Sequence, residues 1–195
     1  LKIRGKRGTK ISLSYGELLK NDGRLEQGNV NVYYHPVKPD EKFQTDTYIL
    51  KGEGVEVFQP SFTYHGFQYV EVEASEKVDL DKSSLTALFL HTDLQPVGKF
   101  ECSSPLLNKI WDATMQTYLS NIHSIPTDCP QREKNGWTAD AHIAIDLALL
   151  GFDGITFYEK WMNDVLDNQQ PDGDFSGIIP SNGWGYGKWY GPVWD

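Results

Sequence analysis

A change of hydrophobic period near residue 100 limits the chain to a mixed architecture, β first and α second. Upstream, Ile11, Leu13 and Tyr15 alternate with polar residues, and Val30, Val32 and Tyr34 do so less regularly. That spacing puts every second side chain on one face of a strand. Leu85 to Leu90 reads as a continuous apolar strand. Phe62 to Val72 is the strongest strand signal, and its rings on both faces imply cover on both sides. Gly66 within it marks a bulge or a close backbone approach, and His65 is read as structural. Turn signals at Asn21-Asp22-Gly23, His35-Pro36, Lys38-Pro39-Asp40 and Gly52-Glu53-Gly54 separate the runs. Short strands at this spacing predict a portion of an antiparallel β-sandwich over residues 1–98.

From residue 99 the period lengthens. Ser104-Pro105 supplies an N-cap and a proline at the first helical position. Leu106, Leu107, Ile110, Trp111, Thr114, Tyr118 and Ile122 then recur at helical spacing, and the pattern stops before Pro126. A second helix is predicted from about Ala139 to Leu150, capped by Thr138 and closed by Gly151. A third should run from Gly154 to about Gln170, with Ile155, Tyr158, Trp161, Met162, Val165 and Leu166 as its apolar face and Pro171-Asp172-Gly173 as its end. Three such helices enclose little core by themselves. The expectation is a fragment that joins the end of a β domain, residues 1–98, to the beginning of a helical domain, residues 99–195.

Charge separates the two regions as well. The net charge of -9 argues against a nucleic-acid partner, which needs a basic surface. Residues 1–98 carry 12 Lys+Arg against 14 Asp+Glu, whereas residues 99–195 carry 6 against 13. All six tryptophans lie in the second, acidic region. Flat aromatic faces beside acidic hydrogen-bond acceptors suit a sugar ring, although Trp111 and Trp161 sit at helical spacing and read as core. No apolar run approaches the roughly 18 residues of a membrane span, so no membrane partner is expected. The compartment is left open. Cys102 and Cys129 are isolated, without a CxxC pair, and there is no HExxH pattern, paired-His ligand set or glycine-rich phosphate loop. Neither a metal nor another cofactor is expected.

The chemistry concentrates in Thr127-Asp128-Cys129-Pro130-Gln131-Arg132-Glu133-Lys134-Asn135-Gly136-Trp137-Thr138-Ala139-Asp140, which places three carboxylates, an arginine and a tryptophan within fourteen residues. Pro130 and Asn135-Gly136 break regular structure, so the stretch reads as a loop running into a helix. Glycoside hydrolysis needs one group to protonate the leaving oxygen and a second carboxylate to activate water or act as nucleophile. Glu133 is the candidate general acid, because Asp128 and Asp140 crowd it and like charges favour the protonated form, with Arg132 opposing them. Asp128 and Asp140 are placed to accept hydrogen bonds from substrate hydroxyls, and Trp137 to offer its face to the ring. Asp140 equally suits the first turn of a helix, where the dipole favours an acid by roughly 0.3–1 kcal/mol. Two uses are open to Arg132, clamping the ligand or pairing with Asp128. A second cluster, Asp172, Asp174, Trp184, Tyr186, Trp189, Tyr190, Trp194 and Asp195, either walls a sugar site or fills the gap between helices.

The run Asp128-Cys129-Pro130-Gln131-Arg132-Glu133, followed by Gly136-Trp137-Thr138 and Asp140, resembles the signature of bacterial α-L-rhamnosidases, inverting glycoside hydrolases with an (α/α)6 barrel. Phe62 to Val72 is similar to the segment that this family carries in the β domain before its barrel, and Trp194-Asp195 resembles a site-lining pair. The resemblance implies the last part of a β-sandwich followed by the first helices of an (α/α)6 toroid. It implies Glu133 as proton donor, and Asp128, Arg132, Trp137, Asp140, Trp194 and Asp195 as residues that hold an L-rhamnose-containing glycoside. The catalytic base would be a glutamate beyond Asp195, so the remainder of the parent chain would be needed to close the barrel, and the fragment alone would be inactive. Lys134-Asn135 stands where members often carry a further acid, an arginine or a leucine. Two other readings remain beside this one: a rhamnose-binding module without turnover, and an (α/α)6 glycosidase acting on another sugar.

Overall fold

The computed structural model describes residues 1–32, 42–181 and 185, which form two compact units, Leu1–Phe89 and Leu90–Asp195. Tyr34, His35-Pro36 and Lys38-Pro39-Asp40 lie outside the described residues, as do Trp184, Tyr186, Trp189, Tyr190, Trp194 and Asp195.

The first unit is built from antiparallel strands: β1 (Lys2–Arg4), β2 (Lys10–Gly16), β3 (Leu18–Leu19), β4 (Leu25–Glu26), β5 (Thr45–Ile49), β6 (Val55–Val57) and β7 (Tyr69–Ala74). β2 is central, with β5 on one side and β7 on the other, while β1 pairs with β6. β3 and β4 form a small hairpin across the Asn21-Asp22-Gly23 turn. The expected alternation is realised in β2, where Ile11 is fully buried and Leu13 and Tyr15 join it in a core with Ile3 and Leu50. Ser14, on the opposite face, is also buried, and its hydroxyl hydrogen-bonds that of Thr45 at 3.0 Å.

Three strand expectations do not hold. Val30 lies in a short helical turn, α1 (Gly28–Asn31), and is buried, whereas Val32 is exposed. Leu85 to Leu90 forms no strand and is exposed, because no neighbouring backbone supplies a ladder there. Within Phe62 to Val72 only Tyr69 onward enters the sheet. Phe62 has a left-handed backbone, φ 61°, which interrupts extension, and residues 64–67 instead cover Tyr15. The His65 ring stacks on Tyr15 with centroids 4.2 Å apart, and its Nδ1 and Nε2 meet Gln44 Oε1 and Asp46 Oδ2 at 2.7 and 3.0 Å. Tyr15 donates its hydroxyl to the same Asp46 oxygen. Gly66 is therefore not a strand bulge; its carbonyl accepts from Gln44 Nε2.

The second unit holds α2 (Pro105–Leu119), α3 (Thr138–Gly151) and α4 (Ile155–Asp167). Pro105 opens α2 as expected, but Ser104 makes no side-chain cap. Asn108 stabilises that end instead, donating to the Cys102 carbonyl and accepting from its N–H, both at 2.9 Å. α4 turns its Phe157, Tyr158, Trp161 and Val165 inward against Tyr118, Ile122, Ala141, Ala148 and Ile179. Gly151, where α3 ends, lies close against the Met115 side chain of α2. α4 stops three residues earlier than the pattern suggested. Gly173, at φ 91°, lets the Pro171-Asp172-Gly173 turn close by donating to the Gln170 carbonyl at 2.8 Å.

Candidate functional site

Residues 127–137 form the second half of the connection between α2 and α3, anchored at both ends by backbone hydrogen bonds. At its start, the N–H and hydroxyl of Thr127 both donate to the Asn121 carbonyl, at 2.7 and 3.0 Å. At its end, Gly136-Trp137-Thr138 runs antiparallel to Gly177-Ile178-Ile179. Ile179 N–H donates to the Gly136 carbonyl at 2.8 Å and Thr138 N–H to the Gly177 carbonyl at 3.0 Å, with Trp137 opposite Ile178. A Cβ at Gly136 would sit 2.0 Å from the Ile179 oxygen, so this approach requires glycine. The strand from 177 to 179 is held in turn by Trp161, whose indole Nε1–H donates to the Ile179 carbonyl at 3.2 Å.

Thr138 is not the N-cap that its position suggested. Trp137 occupies the cap position with extended backbone, and Thr138 is the first helical residue. Its hydroxyl, almost wholly buried, donates to Gly177 O at 3.2 Å. The side chain that could have capped α3 is thus spent on joining the loop to the 177–179 strand. Asp140 does lie in the first turn of α3, exposed to solvent. Partial desolvation, and after it the charge of Asp128, raises its carboxyl above the ordinary carboxylate range.

Between the anchors the loop folds on itself around Asp128. The backbone N–H of Asp128 donates to the Asn135 carbonyl at 3.0 Å, and Asn135 N–H donates to Asp128 Oδ1 at 2.8 Å. The Cys129 thiol donates to Asp128 Oδ2 at 3.0 Å and its sulfur accepts Glu133 N–H at 3.4 Å. Burial, reinforced by the hydrogen bond to Asp128, pushes the thiol pKa up, so it acts as a neutral donor. Asn135 also donates from Nδ2 to the Glu133 carbonyl at 2.9 Å. Lys134 takes the left-handed conformation, φ 55°, that the tight return demands. The Asp128 carboxylate is therefore held by Cys129 and Asn135. Arg132 is half-buried on the turn beside Glu133.

Glu133 is half-buried, and its Oε2 accepts the indole Nε1–H of Trp137 at 2.9 Å. Of the residues singled out from sequence, the loop gathers Asp128, Arg132, Glu133, Trp137 and Asp140 within one anchored turn and the helix start that follows it. Asn135 and Cys129 were not singled out, yet they make the bonds that shape the loop. The only sequence signal for Asn135 was its place before glycine, which marks a turn but not a clasp. Among the described residues, no group of three or more His, Cys, Asp or Glu side chains is arranged to hold a metal ion. Both cysteines are free thiols. No described helix is long and apolar enough to cross a membrane.

Comparison with known proteins places this loop. Residues 95–195 match the family described as the bacterial alpha-L-rhamnosidase 6 hairpin glycosidase domain, and residues 1–91 the bacterial alpha-L-rhamnosidase concanavalin-like domain. The chain belongs to the bacterial α-L-rhamnosidase family. Its antiparallel sheets followed by helices agree with a β domain that leads into a hairpin glycosidase domain. An α-L-rhamnosidase of Formosa agariphila is 43% identical over 125 residues, which is 64% of this chain and 13% of that protein. The structure of the α-L-rhamnosidase from Dictyoglumus thermophilum superposes with TM-score 0.82 at 38% identity, over 95% of this chain and 20% of that one. That of the Streptomyces avermitilis α-L-rhamnosidase complexed with L-rhamnose gives 0.79 at 34% identity, over 94% and 17%. The chain thus spans a fifth or less of the length of these relatives.

Proposed function

We propose that the protein to which this chain contributes is an inverting glycoside hydrolase that releases terminal α-L-rhamnose, with Glu133 as general acid. The observation that carries the reading is the arrangement of Glu133. Its carboxyl sits half-buried in a loop clasped around Asp128, in the part of the chain that matches the family's glycosidase domain. Support for the sugar comes from the Streptomyces avermitilis relative, solved with L-rhamnose.

In this account Glu133 gives its proton to the glycosidic oxygen as the bond to the anomeric carbon breaks and the electron pair leaves on that oxygen. A base elsewhere removes a proton from the water that attacks the opposite face of the ring. Inversion requires the two carboxyl groups to stand roughly 6.5–9.5 Å apart, with water between them, and the base is assigned to the remainder of the parent chain. Asp128, Arg132 and Asp140 address the sugar hydroxyls, and Trp194 and Asp195 are assigned to sugar binding with them. The β portion is assigned to residues 1–98 and the truncated catalytic portion to 99–195. Exposed Leu106, Ile110, Ile143, Leu150, Ile155 and Leu166 on the three helices support further helices in the parent that cover these faces.

The test is a panel of aryl glycosides offered to the full-length protein, with the anomer of the released sugar followed by NMR. Turnover of α-L-rhamnoside with β-L-rhamnose as first product is expected, with none from the 195-residue chain alone. Turnover of another glycoside only, or binding of rhamnose with no turnover, would overturn the assignment.

A further inference from the structure

The contact between Trp137 and Glu133 assigns Trp137 a role different from a flat face for the sugar. An indole nitrogen donates and never accepts, so Oε2, at 2.9 Å, is the acceptor, a role that the carbonyl oxygen of a protonated carboxyl fills better than its hydroxyl oxygen. Both ends of the bond are fixed. Trp137 is bridged to Ile178, with hydrogen bonds on either side from Ile179 to Gly136 and from Thr138 to Gly177. Glu133 is held at its N–H by Cys129 Sγ and at its carbonyl by Asn135 Nδ2.

We propose that Trp137 is a positioning residue for the acid: its N–H holds Oε2, so that Oε1 carries the proton and delivers it to the leaving oxygen. The inference rests on the reading of Glu133 as general acid. Without the indole donor the carboxyl can present either oxygen and place the proton on either, and productive orientations become a fraction of the whole.

The test is Trp137→Phe in the full-length protein, which keeps an aromatic face and removes the N–H. The expected result is a fall in kcat of roughly tenfold with KM within about twofold of the parent value. Circular dichroism confirms that the variant is folded, and Glu133→Gln is measured beside it. If Glu133→Gln turns over as fast as the parent, the acid assignment itself falls. If Glu133→Gln is impaired while Trp137→Phe keeps the parent's kcat, only the positioning role falls. A raised KM with kcat unchanged would return Trp137 to the sugar-binding face and likewise overturn the proposal.

Discussion

Helices α2 and α4 carry apolar residues at the same period, but α4 buries four of them and leaves Ile155, Met162 and Leu166 exposed, whereas α2 buries one. Phe157, Tyr158, Trp161 and Val165 of α4 are all buried, and Trp161 is 1% exposed. In α2 only Tyr118 is buried, while Leu106 and Ile110 are 66% and 52% exposed. The period records that a face is apolar; it does not record what covers that face. In α4 the cover is identifiable, because its buried side chains pack beside Ile179 and hold the segment that anchors the candidate loop.

The comparison is broken most forcefully at Trp161. Replacing it with Ala should destabilise the helical unit by about 3–5 kcal/mol, and should also release the 177–179 strand through loss of the hydrogen bond to Ile179. Urea unfolding followed by far-UV circular dichroism measures the first effect; loss of activity in the full-length protein measures the second. A small stability change would mean that α4 is not the helix that holds the loop.

A smaller effect is expected at Tyr118, where the two helices meet. Its hydroxyl lies 3.1 Å from that of Tyr158, and burial raises both groups above the ordinary value of 10.0. A tyrosine whose folded pKa is raised keeps its proton in the native state while the unfolded chain loses it. Its contribution is therefore complete below pH 10 and declines as pH rises beyond it. Tyr118→Phe should cost about 1 kcal/mol at neutral pH and make the loss of stability above pH 10 shallower, in urea titrations at pH 8 and pH 10.5. An unchanged alkaline slope would contradict the pairing. Tyr15 in the β unit, raised by burial and then by Asp46, adds its own decline in the same direction.

The smallest effect belongs to Leu106. As an exposed residue, Leu106→Ala should change the stability of the 195-residue chain by no more than about 0.5 kcal/mol. In the full-length protein the same substitution should cost clearly more, as expected if further helices cover α2. Equal small effects in both settings would leave this face solvent-exposed in the whole protein.

The same distinction explains how much was legible in the sequence. β2 could be read from Ile11, Leu13 and Tyr15, and the three helices from their period, because those signals are local. Phe62 to Gln68 could not, since the rings of His65 and Phe67 cover Tyr15 instead of the segment forming a ladder, and Phe62 adopts a backbone that no apolar pattern reports. The candidate site followed the same rule. The signature from Asp128 to Asp140 named the candidate residues that the loop gathers. What holds them, Gly177 to Ile179 some forty residues away and the clasp between Asp128 and Asn135, depends on backbone hydrogen bonds that residue types do not announce.

The central claim, that this loop delivers the proton, is tested most directly by how rate depends on the leaving group. A general acid matters most when the departing oxygen is basic. In the full-length protein, Glu133→Gln should therefore lose roughly a hundredfold or more on alkyl α-L-rhamnosides and far less on a dinitrophenyl α-L-rhamnoside, whose leaving group needs no proton. An equal loss on both substrates, or no loss on either, would contradict the assignment of Glu133 as the acid.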